Sequence, residues 1–375
     1  MKKNFLKIIR LFVFIFAGVL SVPLALGQPS GSFTKAEFTK RDYSNIMKEN
    51  ISGNPLVTDI AMLAAHDALS SEINRKSPVN FNEKENFLAS PSLNFLTKTG
   101  AMQILFGGLA TRISRAQRSS VGELLQRGAR YLDIRVAECG GWYGCHGLIA
   151  APLGIYFDDI LEFLERTDGE IIVLEFRHVY FGESDYAELF SYIENYKPNG
   201  KSVYDYVRYN PREIPLGELR YGTVTNGGSG AVILTPEAHF AKNAAPHIAY
   251  ADAPYAVWHN LTDKKQMFAG IREEYAYLTE NYEKFRGVFR INQAQRTPRF
   301  DADSVFGSII GWSLIDMAEK YNYELLCAAD FSDWLSVMPV FQVDYADDMY
   351  GGFNDKVIEK INGYNAKLAE CVDDM

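Results

Sequence analysis

The sequence predicts a single α/β domain built on a parallel sheet, and three observations carry that prediction. Apolar runs of strand length alternate with stretches of helical period through most of the 375 residues. No Pro-, Gly- or Ser-rich linker and no internal repeat interrupts the alternation. Two of the apolar runs, Asp59–Ala65 and Val340–Val343, stop abruptly at His66-Asp67 and at Asp344, as strands of an α/β barrel do at their carboxyl ends.

The elements follow in order. Residues 28–50 are polar and read as a loop leading to a short helix, within an N-terminal segment 28–55. From 70 to 114 the chain is less regular; Leu93–Leu109, with glycines at 100, 107 and 108, reads as a helical insert with an apolar tip. Val121–Arg127 is a helix capped by Gly128. Arg130–Val136 alternates as a strand, Phe157–Arg166 has Phe157, Ile160, Leu161 and Leu164 at helical spacing, and Glu170–Arg177 is a buried strand. A helix at Tyr186–Tyr196, a turn or short helix at Pro215–Leu219, a strand at Gly230–Leu234 and a helix over 262–284 come next. Gly287–Ile291 is a strand, Ser304–Asn322 a helix, Val340–Val343 the last strand and Phe353–Leu368 the closing helix.

Bulk properties exclude some functions. A formal charge of −9 argues against a phosphate backbone as the main partner, so no nucleic acid is expected. Apolar content of 47% with 23% charged residues is that of a well-cored globular chain, expected to act as a monomer. Lys2, Lys3, Lys7 and Arg10 precede an apolar run from Leu11 to Leu20, then small residues at Ala25-Leu26-Gly27. That pattern predicts a signal peptide over 1–27 cleaved before Gln28, and hence a secreted or periplasmic protein. An uncleaved anchor is the competing reading, but the run is shorter than the ~20 residues a spanning helix needs. Four cysteines, Cys139, Cys145, Cys327 and Cys371, suit an exported chain with disulfides, and a Cys139–Cys145 bridge would stiffen the loop before His146. Zinc lacks a CxxC pair or a suitably spaced histidine.

The chemistry gathers around Gly128–Leu148. Asp133 and Arg135 stand two apart on one face of a strand, where both charges would be buried unless that face looks into a pocket. The loop after it delivers His146 beside a glycine. With His66-Asp67 and Asp344 at other strand ends, four sets of polar groups converge on one face of a barrel. Two imidazoles and a guanidinium suit phosphoryl chemistry: one ring removes a proton from an attacking hydroxyl, the other protonates a leaving oxygen, and the arginine holds the growing charge. Aspartates orient each ring and favour its charged form.

These segments resemble the phosphatidylinositol-specific phospholipase C X-domain family. The resemblance is carried by MLAAHDAL (62–69), QRGARYLDIRV (126–136), HG at 146–147 with DDILEFLE after it, LGELR (216–220), NQAQRTP (292–298) and FQVDYADD (341–348). It spans roughly Leu56–Leu368, a barrel domain over 56–370, and implies a distorted TIM-type (β/α) barrel that cleaves inositol phospholipids at a membrane surface. By that resemblance His66 is the general base on the inositol 2-hydroxyl, hydrogen-bonded by Asp344. His146 is the general acid on the diacylglycerol oxygen, assisted by Asp67. Arg135 contacts the phosphoryl oxygens, with Asp133 holding neighbouring groups, and the products are diacylglycerol and a cyclic inositol phosphate. Arg177 and Tyr345 are substrate-binding candidates by position only.

The calcium-dependent members of the family look like Glu-x-Asp where this chain has Asp133-x-Arg135, and like Asn where it has Asp67. An arginine cannot ligate a cation, so the chain is read as bacterial-type, without metal or cofactor, although Glu175 falls near a calcium-ligand position. A separation of sixty-seven positions from His66 to Asp133 points to an insertion at about 70–115, read as a core helix ahead of a lipid contact.

Blander readings stand beside these. Asp133 and Arg135 could be a buried structural pair, and Asp344 a helix cap. His178 divides evenly between pocket and surface, whereas His239, His247 and His259 read as surface residues. Tyr255 and Trp258 are candidates for a rim that enters a membrane surface. Three functions remain: a phosphoinositide-cleaving lyase, a glycerophosphodiester or sphingomyelin-type phosphodiesterase on the same barrel, and a non-catalytic lipid- or inositol-phosphate-binding protein. The second needs a cage of paired carboxylates, which Arg135 opposes; the third has no need of all four polar sets.

Overall fold

A computed structural model describes residues 41–83, 101–235, 250, 254–298 and 313–368, with the side chains of 101–106 excepted. The leader 1–27, the stretch from 28 to 40, the apolar tip before 101, residues 304–312, His239, His247 and Cys371 lie outside the described residues.

Among the described residues nine strands form one curled sheet. They are β1 (Met62–Ala65), β2 (Ala129–Glu138), β3 (Trp142–His146), β4 (Leu148–Pro152), β5 (Ile171–Tyr180), β6 (Gly230–Leu234), β7 (Tyr255–Ala256), β8 (Arg290–Gln293) and β9 (Val340–Val343). Seven run parallel in the order β7-β8-β9-β1-β2-β5-β6, and this series is the distorted TIM-type wall the sequence implies. The expectation of parallel strands throughout needs correction. β3 and β4 are antiparallel, because the turn at Cys139–Gly141 is far too short for a crossover and can only make a hairpin.

The strands read as continuous apolar runs because helices cover their outer face. All four residues of β1 and all five of β6 are buried. The helices are α1 (Ile46–Asn50), α2 (Ala101–Ser114), α3 (Val121–Gln126), α4 (Leu153–Arg166), α5 (Tyr186–Asn195), α6 (Lys264–Glu280), α7 (Leu314–Leu326), α8 (Phe331–Val337) and α9 (Phe353–Asn365). α4 buries Phe157, Ile160, Leu161 and Leu164, the four residues whose spacing predicts it. Capping boxes start α3 at Ser120–Glu123 and α7 at Ser313–Asp316.

At the amino ends of the strands the barrel is closed by buried ion pairs. Arg130 Nε lies 2.7 Å from Glu170, both fully buried, and the same guanidinium donates to the carbonyls of Leu125, Ala129 and Tyr43. Arg290 pairs with Asp59 at 2.8 Å and donates to Val337 O. These saturated networks belong to the face opposite the strand ends that carry His66 and Asp344, where polar groups serve stability.

Boundaries moved in places. The strand expected at Gly287–Ile291 begins at Arg290, since Gly287 turns the chain at φ 80° against Gly217. The helix expected over 262–284 breaks at Asn281, and the described part of Ser304–Asn322 starts at Leu314. The Cys139–Cys145 bridge is not formed: Cys139, Cys145 and Cys327 are all free. Val136 pairs with Gly144, so Cys145 lies beside the level of Arg135 while Cys139 is in the turn. At ~3.3 Å per residue that separation exceeds the ~7 Å a disulfide can span.

The Gly217–Gly287 contact is backbone on backbone: a Cβ on Gly287 would lie 2.6 Å from Gly217 Cα. Gly287→Ala should therefore cost about 2 kcal/mol or more, from steric overlap plus the left-handed φ. Urea titration followed by circular dichroism measures it; an unchanged midpoint would mean the two turns part freely.

Candidate active site

Adjacent strands bring distant residues together. β1 and β9 pair in register with Ala65 opposite Val343, so the next residues, His66 and Asp344, leave the sheet side by side. His66 Nδ1 lies 2.7 Å from Asp344 Oδ1 across 278 positions of sequence. On the other flank of β1, β2 carries Asp133 and Arg135 on its inward face. Arg135 NH2 is 3.1 Å from His66 Nε2, and Asp133 Oδ2 is 3.8 Å from the same nitrogen.

Asp67 completes the group through an uncommon backbone. Successive residues of an extended chain point apart, but Asp67 has φ 45°, a left-handed turn that returns its carboxylate to the His66 ring. Fully buried, it forms an ion pair with Arg135 Nε and stands 3.4 Å from His66 Nδ1 and 3.1 Å from His146 Nδ1. His146 is the last residue of β3 and not the product of a loop. Its Nδ1 also meets Ser114 O at 2.8 Å. The two imidazoles sit edge to face with centroids 6.1 Å apart.

The partners assign the protons. Asp344 accepts from Nδ1–H of His66, and an Arg135 N–H faces Nε2, so in the neutral ring the lone pair is on Nε2. His146 has two acceptors at Nδ1, which leaves Nε2 as its open nitrogen. Burial works against the His66 cation, but Asp67 and Asp344 outweigh it and raise the ring above its ordinary value. Burial also opposes the Asp67 anion, yet Arg135, His146 and His66 draw it down to about 2. For Asp344 burial prevails over the pull of His66 and holds the acid above the usual carboxylate range.

Below this layer Tyr131 donates to Glu175 Oε2 at 3.0 Å, and Arg177 Nε lies 3.8 Å from Glu175 Oε1. Burial, with Asp133 adding to it against Arg177, pushes Glu175 up to about 7. A bulge in β5 pairs Ile134 with Phe176 and Arg135 with His178, leaving Arg177 as the extra residue. Arg177 thus stays within reach of the site, while His178 is exposed and stacked on Tyr180. Tyr345 is elsewhere: its hydroxyl donates to Arg115 O at 2.6 Å and its N–H to Ala116 O, so it forms the wall. His259, expected on the surface, is largely buried with Nε2 3.0 Å from Glu274.

His66, Asp67 and Asp133 each place one ligand atom within 4.8 Å of the others, the nearest thing to a metal cradle among the described residues. The donors do not fit a divalent ion, because Arg135 touches Asp67 and lies 3.1 Å from His66 and 3.6 Å from Asp133. Sequence reading missed four contributors. Ser114 supplies its carbonyl, Gln342 donates to Asp133 Oδ2 at 3.3 Å, Glu83 accepts from Gly147 N–H at 2.9 Å, and Gln117 bridges strand ends. Each sits in a polar stretch or a strand where no local pattern sets it apart.

The fold defines an α/β barrel with a polar centre at its strand carboxyl ends. Solved structures share it: a mutant phosphatidylinositol-specific phospholipase C from Staphylococcus aureus (TM-score 0.57, 15% identity, 86% of this chain and 97% of that one) and the Listeria monocytogenes enzyme (TM-score 0.51, 15% identity, 86% and 98%). At that identity the likeness is one of fold. In sequence the chain is 30% identical over 157 residues to a variant-surface-glycoprotein phospholipase C of Trypanosoma cruzi, covering 40% of each. It is 27% identical over 157 residues to human PI-PLC X domain-containing protein 2, covering 40% of this chain and 48% of that protein. The resemblance to the phosphatidylinositol-specific phospholipase C X-domain proteins is thus borne out, over less than half the length of the curated relatives. No family model matches the chain.

Asp67 is the counter-charge that holds Arg135 buried. Asp67→Ala should cost about 3–5 kcal/mol in urea unfolding, and adding Arg135→Leu should recover part of that loss. Additive single losses in the cycle would show that the pair is not coupled.

Proposed function

We propose that the chain is a phospholipase C-type phosphodiesterase that cleaves phosphatidylinositol to diacylglycerol and a cyclic inositol phosphate. The observation that carries this reading is the pair of imidazoles, ring centroids 6.1 Å apart and each held at Nδ1 by acceptors, set around one buried guanidinium. His66 takes the proton of the inositol 2-hydroxyl, and that oxygen attacks phosphorus. The bond from phosphorus to the glycerol oxygen breaks, and His146, protonated on Nε2, delivers its proton to the departing oxygen. Arg135 balances charge growing on the phosphoryl oxygens. Asp344 and Asp67 hold the rings, while Arg177 is the polar group best placed to meet the headgroup.

Arg135 supplies from the chain the positive charge that a calcium ion would otherwise bring, so the reaction is proposed to need no metal. Exposed apolar side chains suit a lipid surface. Trp258 is 59% exposed just beyond the carboxyl end of β7, and Phe81 is 47% exposed between Asn80 and Asn82, which bond to Gly147 O and Glu138 O. The basic-then-apolar leader would export the chain, and among the described residues no helix is long and apolar enough to cross a membrane. Such an enzyme works on a phospholipid partner as a monomer.

Phosphatidylinositol liposomes assayed with chelator present test the reading: diacylglycerol and cyclic phosphate should form at an undiminished rate, and abolition by chelator would refute the metal-free mechanism. His66→Ala and His146→Ala should each lose about 10²–10⁴-fold. A substrate with a nitrophenolate leaving group needs no acid, so it should restore His146→Ala and leave His66→Ala inactive.

The base must be neutral to act. Since His66 is raised above about 6.5, kcat/KM should fall as pH drops through a value higher than that. Asp344→Asn removes a contribution that raises the ring and should move this acid limb to lower pH while lowering the plateau. An unmoved limb would assign it to another group.

A further inference from the structure

Ser114–Gln117, the strap that leaves the end of α2, touches the His66 turn, the end of β9 and His146. Ser114 O meets His146 Nδ1 at 2.8 Å. Arg115 O and Ala116 O accept the hydroxyl and the N–H of Tyr345, the residue after Asp344. Ala116 N–H and Gln117 N–H both donate to Ser70 Oγ at 3.0 Å, and Ser70 N–H in turn donates to Asp67 O. The Gln117 side chain, fully buried, makes three further bonds. Its Nε2 donates to His66 O at 2.8 Å and to Val343 O at 3.2 Å, and its Oε1 accepts Ala346 N–H at 3.0 Å.

The chemistry of that position is narrow. Two carbonyls on two strands need one neutral nitrogen with two hydrogens, and the adjacent N–H needs an acceptor on the same group. A carboxylate has no hydrogens to give, an ammonium has no acceptor, and an apolar chain strips the amide from His66 O and Ala346 N–H and leaves Val343 O with the His66 N–H alone. The backbone groups served are those of His66 itself, of Val343 just before Asp344 and of Ala346 two residues after it. The amide therefore spans the back of the joint whose front is the 2.7 Å His66–Asp344 bond.

We infer that Gln117 is a positioning residue: its carboxamide locks the ends of β1 and β9 so that His66 and Asp344 stay aligned, and the strap it anchors fixes His146 at the same time. Base and acid are thus set by one short peptide. The consequence for turnover rests on the phosphodiesterase reading; the alignment of His66 with Asp344 does not.

The test reads His66 directly. Groups facing its ring are Asp67 from its own turn, Asp133 and Arg135 from β2, His146 from β3 and Asp344 from β9. Gln117→Met keeps the length, adds no charge and removes the three bonds of the amide behind the His66–Asp344 contact. In NMR titrations of the imidazole signals, His66 should protonate at lower pH in Gln117→Met than in wild type, displaced in the same direction as in Asp344→Asn. Per folded molecule, kcat should fall at least tenfold with KM within twofold. A folded Gln117→Met whose His66 titrates as in wild type overturns the inference. If Gln117→Met does not fold, Ser70→Ala, which releases the strap and keeps the amide, should give the same shift at smaller size, and no shift there is equally fatal. Should wild type turn over no inositol lipid while the His66 titration still moves, the positioning role stands and the phosphodiesterase reading fails.

Discussion

A buried carboxylate at Asp67 is the constraint on which the site depends. Arg135 and two imidazoles crowd the mouth of the barrel, and a buried guanidinium beside two titratable rings needs a counter-ion among them. Asp67 reaches all three, pairing with Arg135 and standing 3.4 and 3.1 Å from the Nδ1 atoms of His66 and His146. The backbone accepts a left-handed residue to put it there, a strain of about 1–3 kcal/mol for a residue other than glycine. Tyr345, directly after Asp344, carries the same feature at φ 51°. Both strand ends that bear the His66–Asp344 pair thus turn sharply, and both turns are held from behind by the Ser114–Gln117 strap.

The rest of the barrel makes such a centre tolerable. Buried arginines at the amino ends of the strands have their hydrogen bonds filled by carboxylates and carbonyls, so that end is stable and chemically inert. At the other end the same residue types are left with partners that a substrate could rearrange. His66 Nε2 meets an arginine N–H and a carboxylate 3.8 Å away, and His146 is held at Nδ1 by Ser114 O. Stability and reactivity are separated along the strand axis.

Much of this was legible in the sequence. His66-Asp67, Asp133-x-Arg135, His146 and Asp344 each ended or interrupted an apolar run, and buried charge on a strand calls for a reason. The structure brings them together because β9, β1 and β2 are neighbours, an order that a single chain does not spell out. The hairpin that returns His146 on a strand was read as a loop, since a run of glycines and a cysteine pair carries turn chemistry but no pairing register. Arg177 kept its place through a bulge, which no local pattern announces. Tyr345 lost its candidacy because its hydroxyl was already committed to Arg115 O. Gln117, between Arg115 and two serines, looks like any solvated turn; its burial arises only when two strands 278 residues apart close over it.

The asymmetry between the two histidines follows from what each Nδ1 meets. His66 gives its proton to a single carboxylate held above the usual range, and an arginine N–H beside Nε2 disfavours a second proton there. The carboxylates still prevail: Asp67 and Asp344 outweigh burial and the arginine and raise the ring above its ordinary value. His146 gives its Nδ1 proton to a backbone carbonyl and to Asp67, an anion that stays ionised because Arg135 is beside it. The arginine therefore does two things at once: it keeps Asp67 ionised between the two rings and, beside Nε2, partly opposes the rise that Asp67 and Asp344 impose on His66. Replacing it with a metal ion would demand other neighbours, because a doubly charged ion needs the very oxygens that Arg135 and the two rings already share.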